Sequence, residues 1–184
     1  MYFAKAGKEN TQQTLDVARA VAIGRGIKHV VVASTVGETG LAAARALQGT
    51  GINLVVVSHS AGFREEGKQS FDPELKRQIE ALGGTIYTGT MVLHGLGNAL
   101  KEKGGASPGQ IVADSLRILG QGTKVCVEIT AMAADAGLVP AGSDVIAVAG
   151  SGRGADTAAV IKANTSNRFF SIRLREYLAK PLDF

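Results

Sequence analysis

The residues Lys28 to Leu47, KHVVVASTVGETGLAAARAL, decide how this chain is read. Val30-Val31-Val32-Ala33 is a continuous β-branched run, the pattern of a parallel strand covered on both faces. Ser34-Thr35-Val36-Gly37-Glu38-Thr39-Gly40 follows as a turn of small and hydroxyl-bearing residues. Leu41 to Leu47, rich in alanine and leucine, predicts a helix directly behind that turn. Strand, polar turn and helix in this order aim backbone N–H groups, hydroxyls and the positive helix end at one point, which suits a phosphate. Ser34, Thr35, Gly37, Thr39 and Gly40 are therefore the candidate phosphate-binding residues. Glu38 works against a phosphate and is expected to point to solvent or toward ligand hydroxyls. A plain strand-to-helix turn is the alternative.

Outward from this unit, strand and helix patterns alternate. Asn10 or Thr11 starts a helix that runs to about Gly26, ahead of the Val30 strand. Thr39 to Gln48 forms the helix after the turn, Gly49 and Gly51 end it, and Ile52 to Ser58 makes a second buried strand. His59 to Phe71 is charged and glycine-bearing, and is expected to be a flap rather than core. Asp72 caps a helix with Pro73 at its first position, Gly83-Gly84 stop it, and Thr85 to Thr88 is a third strand. Thr90 to Gly105 allows a helix weakened by Gly95 and Gly97. Ser107-Pro108-Gly109-Gln110 opens the amphipathic helix IVADSLRIL, which Gly120 and Gly122 are expected to end. Thr123 to Ile129, TKVCVEI, predicts a fourth strand, followed by a short helix at Ala131 to Ala136 and a strand at Asp144 to Ala149. With no repeat or linker, residues 1–184 are expected to form one domain. Its predicted fold is a three-layer α/β/α domain with a mainly parallel doubly wound sheet, its last strand or two antiparallel.

A second candidate site lies at Gly150-Ser151-Gly152-Arg153-Gly154-Ala155-Asp156-Thr157. It matches the dinucleotide pattern G-x-G-x-x-A, with Glu176 further along, but too little chain follows for a full βαβ unit. The better expectation is a loop across the same pocket, lending backbone N–H groups and Arg153, with Asp156 and Thr157 beside it. A glycine hairpin with a solvated arginine is the alternative, and ADTAAVIKA fits either a short helix or a strand. His59, at a strand's carboxyl end, is the one candidate acid or base, and a solvated loop histidine is the competing assignment. Glu128 either lines the pocket or sits at the sheet edge. Cys126 falls among valines, where an inert buried thiol is expected.

Composition narrows the class. The net charge is +4 and no cluster of Lys and Arg exists, so no nucleic-acid partner is expected. A single cysteine excludes an intrachain disulfide and fits the cytoplasm. No leader-like or membrane-length apolar run is visible, so no membrane partner is expected. Three scattered histidines and one cysteine give no metal-site spacing. Phe169, Phe170, Ile172 and Leu174 form an apolar stripe that suggests a homo-oligomer.

QTLDVARAVAIGRGIKHVVVASTVGETGLAAARAL followed by NLVVVSH resembles the C-terminal α/β domain of pyruvate kinase. That resemblance implies that the turn at Ser34, Gly37 and Thr39 binds a phosphate, which in the kinase belongs to a sugar-bisphosphate effector. The loop at Gly150, Ser151 and Gly152 would complete the pocket. Val36 stands where a hydroxyl is usual, and Glu38 is a second departure. Nearly the whole chain, including GQGTKVCVEITAMAADAGL and GSGRGADTA, is similar to the stand-alone pyruvate kinase-like proteins, which implies flavin mononucleotide (FMN) in the phosphate pocket. His59, Glu128 and the 150–157 loop would then meet the ribityl chain and ring. A non-catalytic module sensing a sugar phosphate is the alternative. The kinase's barrel residues have no counterpart here, so its phosphotransfer chemistry is not implied.

Overall fold

The computed structural model describes residues 1–184. Seven strands form one sheet: β1 (Tyr2–Lys5), β2 (His29–Ala33), β3 (Asn53–Ser58), β4 (Thr85–Thr88), β5 (Asp144–Ala149), β6 (Thr157–Lys162) and β7 (Arg173–Asp183). Their spatial order is β1-β7-β6-β5-β2-β3-β4. The pairs β5-β2, β2-β3 and β3-β4 are parallel, β6 runs antiparallel to both β5 and β7, and β1 is parallel to β7. The helices are α1 (Thr11–Arg25), α2 (Glu38–Leu47), α3 (Pro73–Ala81), α4 (Leu96–Glu102), α5 (Pro108–Arg117) and α6 (Gln121–Asp135).

Two cores lie on the two faces of this sheet. Val30, Val32, Val56 and Val148 pack with Leu15, Leu41 and Ile79 of α1, α2 and α3. Val31, Val55, Val145 and Ala147, offset by one residue, pack with Val127, Ile129 and Met132 of α6. Strand side chains alternate between faces, so a run of valines is what a doubly covered strand requires. The three-layer α/β/α arrangement is as the sequence predicts.

The cap signals are realised in detail. Asp72 accepts from the Glu74 and Leu75 N–H groups at 2.7 and 3.3 Å, with Pro73 opening α3. Ser107 Oγ accepts from the Gln110 N–H at 3.3 Å, with Pro108 opening α5.

The structure corrects the strand expected at Thr123 to Ile129, settles one open alternative and adds a strand. Thr123 to Ile129 is not a strand but part of α6, a single helix that also absorbs the short helix expected at Ala131. Twelve of its 15 residues are buried, and Gly122 lies inside it rather than ending α5. A helix enclosed by the sheet, α5 and the C-terminal segment has no face in bulk solvent, so its β-branched run carries no helical period. ADTAAVIKA resolves as the strand β6, hydrogen-bonded to β5 and β7. β1, unforeseen in the polar N-terminus, pairs with β7 through Tyr2 and Lys180. The apolar stripe is partly covered: Phe169, Ile172 and Leu174 are half-buried against the α6-side core, leaving Phe170 exposed. The most exposed aliphatic side chains are Ile118 and Leu96, beside α5 and on α4.

Candidate functional site

Strand order reverses where β2 lies between β3 and β5, so the chain leaves the carboxyl ends of β2 and β5 in opposite directions. Open α/β sheets bind ligands in the crevice at such a point. Here the turn after β2 and the loop after β5 line one cavity of about 420 Å³. Its walls include Thr35, Thr39, His59, Ser151, Gly152 and Arg153.

Ser34 organises the first wall. Its Oγ accepts from the N–H groups of Gly37 and Gly40 at 3.2 and 3.1 Å. Both acceptor positions of the hydroxyl are thereby used, and its own proton is left to donate. Gly37 has φ +112°, and a Cβ there would fall 2.8 Å from Leu75 Cβ. A Cβ on Gly40 would fall 2.7 Å from Val56 Cγ1. These glycines fold the turn and seat α2 on the sheet, and their N–H groups are already engaged. The N–H groups of Thr35, Val36, Glu38 and Thr39 have no acceptor within the chain. Free amides at the start of a ten-residue helix, beside the Thr39 hydroxyl, are what an anion would meet.

The second wall is pinned from behind. Asp156 is fully buried; its Oδ2 accepts from the N–H groups of Ser151 and Gly7 at 3.1 and 3.2 Å. Thr157 Oγ1 donates to Asp156 Oδ1 at 2.8 Å. Asp156 and Thr157 thus shape the loop from inside and do not line the cavity. The N–H groups of Gly152, Arg153 and Gly154 are without acceptors. Ser151 Oγ is buried with no partner, which is rare for a protein hydroxyl and marks a group a ligand would satisfy. Glu176, twenty-odd residues on, lies elsewhere and pairs with Arg25.

A smaller cavity of about 190 Å³ adjoins the first, sharing Ser34, Thr35 and His59. Phe63 and Arg64 of the 59–71 loop lie against the small and large cavities respectively. Phe63 stacks on His59 with ring centroids 4.0 Å apart. His59 Nδ1 is buried without a partner. Burial, helped by the positive Arg64, lowers its pKa below the ordinary 6.5, so the ring is neutral at physiological pH. Glu128 lines this cavity too, from α6 rather than from a strand end. Lys124, one helical turn away, donates to Glu128 Oε2, and His94 completes the group. Burial lowers the Lys124 pKa, with the Glu128 carboxylate opposing the shift.

Lys124 and His94 were not legible in the sequence. The available signal was the Lys-x-x-x-Glu spacing, which brings two charges together on a helix and holds them apart on a strand. The remaining histidine, His29, lies at the opposite end of the sheet, with Nδ1 3.0 Å from Asn53. Cys126 is fully buried, and burial pushes its thiol well above the usual range, consistent with an inert side chain.

Residues 12–162 match the family described as pyruvate kinase, alpha/beta domain. A pyruvate kinase from Cryptosporidium parvum aligns with 84% of this chain and 23% of its own, at 13% identity and a TM-score of 0.46. The pyruvate kinase of that organism in complex with ADP gives 84%, 24%, 14% and 0.46 for the same quantities. An O-ureido-L-serine synthase covers 58% of this chain and 29% of its own, at 22% identity and a TM-score of 0.31. The chain therefore spans about a quarter of the length of the pyruvate kinases it matches.

Proposed function

The chain belongs to the pyruvate kinase alpha/beta domain family, and from that footing we propose that it binds a phosphorylated small molecule, with FMN the best single candidate. The observation that carries this is the pair of facing walls, each with backbone N–H groups lacking any acceptor in the chain. The phosphate is held by the Thr35, Glu38 and Thr39 amides and the Thr39 hydroxyl, with Ser34 donating its remaining proton. Gly152 and Arg153 close the other side, and the Arg153 and Arg64 charges offset Glu38 on the same cavity.

The residues present fit a flavin nucleotide. The two cavities adjoin: the larger, about 420 Å³, falls in the range of small-molecule sites, and the smaller, about 190 Å³, extends it. The larger is polar enough for a phosphate and a hydroxylated chain, with Glu38 and Ser151 as hydrogen-bonding groups. The smaller has apolar walls from Met91, Val125 and Met132 and carries Glu128 and His94 for the edge of a ring. Bound flavin would supply hydride or electron transfer chemistry; the protein's part is to bind, orient and shield it.

Titrating FMN into the protein tests this: its fluorescence is expected to quench as the ring enters the apolar cavity. Protein that leaves flavin fluorescence unchanged removes FMN. The sensing module for a sugar phosphate then takes its place, favoured by Glu38, whose carboxylate suits sugar hydroxyls.

A further inference from the structure

The smaller cavity contains a buried charge cluster that phosphate binding does not use. Lys124 and Glu128 are 2% and 3% exposed. Lys124 Nζ lies 3.2 Å from His94 Nδ1, and that nitrogen lies 3.3 Å from Glu128 Oε1. Glu128 Oε1 also accepts from the Leu93 N–H at 3.1 Å. Stability does not account for such a cluster, because desolvating two charges offsets their attraction and an apolar pair of similar volume is often as stable.

His94 Nδ1 faces both a donor, Lys124, and an acceptor, Glu128, and can serve only one at a time. When Nδ1 carries the proton and donates to Glu128, Nε2 presents a lone pair. When Nδ1 accepts from Lys124, Nε2 carries the proton. Nε2 has no intrachain partner and is not among the buried unpartnered atoms, so it is open to a ligand, and His94 lines both the smaller cavity and a neighbouring one bounded by Gly95, Leu96 and Ser107. The Lys124 ammonium has three N–H groups; Glu128 takes one, and His94 takes a second only when its Nδ1 is unprotonated. The cluster therefore offers at least one spare N–H and one nitrogen that can hold or release a proton, on two residues that line the cavity adjoining the phosphate cradle.

We propose that Lys124, His94 and Glu128 form an acid–base site for a carbonyl oxygen at the non-phosphate end of the ligand, one conjugated so that negative charge can settle on it. This rests on the phosphate-pocket reading above. In the proton-transfer step, a proton on the atom next to the carbonyl passes to His94 Nε2, and its electron pair moves onto the oxygen. The Lys124 N–H stabilises that oxygen, and Glu128 stabilises the imidazolium through Nδ1–H. The reverse step returns the proton, with no bond between heavy atoms broken and no oxidant consumed. Two sources supply such a carbonyl: the conjugated edge of a flavin, whose reduced form gathers charge there, or a phosphorylated ketone.

Two measurements on the full chain separate them, using Lys124→Met, His94→Asn and the charge-neutral double variant Lys124→Met with Glu128→Gln, which leaves no buried charge unpaired. The first is the midpoint potential of bound FMN. Wild type is expected to hold reduced flavin at least tenfold more tightly, relative to oxidised, than the double variant, about 30 mV for a two-electron couple. The second is proton NMR of dihydroxyacetone phosphate in deuterated water, where wild type is expected to catalyse exchange and His94→Asn to lose at least ~100-fold. A potential shift alone assigns the carbonyl to flavin, and exchange alone assigns it to the ketone. If neither the potential nor the exchange responds to these variants, the site is overturned and the cluster is a structural ion pair. If wild type takes up no FMN, the flavin assignment fails and the exchange experiment alone decides the acid–base site. Loss of binding in Thr39→Val, by contrast, reports on the phosphate cradle only.

Discussion

Asp156 shows how a side chain next to a candidate binding loop can be structural. Three donors converge on its fully buried carboxylate, from Gly7, Ser151 and Thr157. Asp156→Ala leaves them unpaired, so stability is expected to fall by at least ~3 kcal/mol, measured by urea denaturation. A small loss would mean that water replaces the carboxylate. His59 and His29 both have pKa values lowered from 6.5 by burial. The unfolded chain then binds more protons than the folded one just below pH 6.5, so stability falls as pH drops through that value. His59→Gln is expected to flatten part of this acid limb, compared by melting at pH 7.5 and pH 5.5. An unchanged acid limb would show that His59 does not titrate differently on folding. Cys126 is expected to resist alkylation in the native protein and to react only after unfolding.

At the scale of elements, legibility followed solvent exposure. α3 and α5 announced themselves because their caps and their polar faces are in water, where Asp72-Pro73 and Ser107-Pro108 have a local role. α6 did not, because burial on nearly every side erased its period and left VCVEI looking like a strand. That error hid the charge cluster, since Lys124 and Glu128 meet only when one helical turn separates them. The turn after β2 was legible because its chemistry is local, yet the division of labour within it was not. Gly37 and Gly40 give their N–H groups to Ser34, and only the positions between and before them stay free. Gly40 also sets how closely α2 approaches β3. Gly40→Ala places a Cβ 3.1 Å from Ile79 Cδ1 and nearer still to Val56. Overpacking of this kind is expected to cost ~1–3 kcal/mol, visible as a lower melting temperature. An unchanged melting temperature would show that α2 can shift outward freely.

Across the whole molecule, the order of strands places the site. β2 and β5 are neighbours in the sheet but more than 100 residues apart in the chain, and the loops that follow them meet over one cavity. Each loop was visible in the sequence as a glycine- and hydroxyl-bearing segment after a buried strand, and their convergence is a property of topology. The central claim is that this cavity holds a phosphate at the start of α2. Thr39 is the residue to test, since it is 8% exposed, lines the cavity and has no intrachain partner for its hydroxyl. The decisive measurement is FMN affinity in wild type and Thr39→Val, with riboflavin, which lacks the phosphate, titrated beside it and melting curves recorded without ligand. A hydrogen bond to a charged group contributes ~1.5–3 kcal/mol, so Thr39→Val is expected to bind FMN roughly tenfold to a hundredfold more weakly. Its ligand-free melting temperature should match wild type, and riboflavin should bind both proteins equally and weakly. Equal FMN affinity in the two proteins, or a variant that is chiefly less stable, would contradict the account and leave STVGETG as a turn without a ligand.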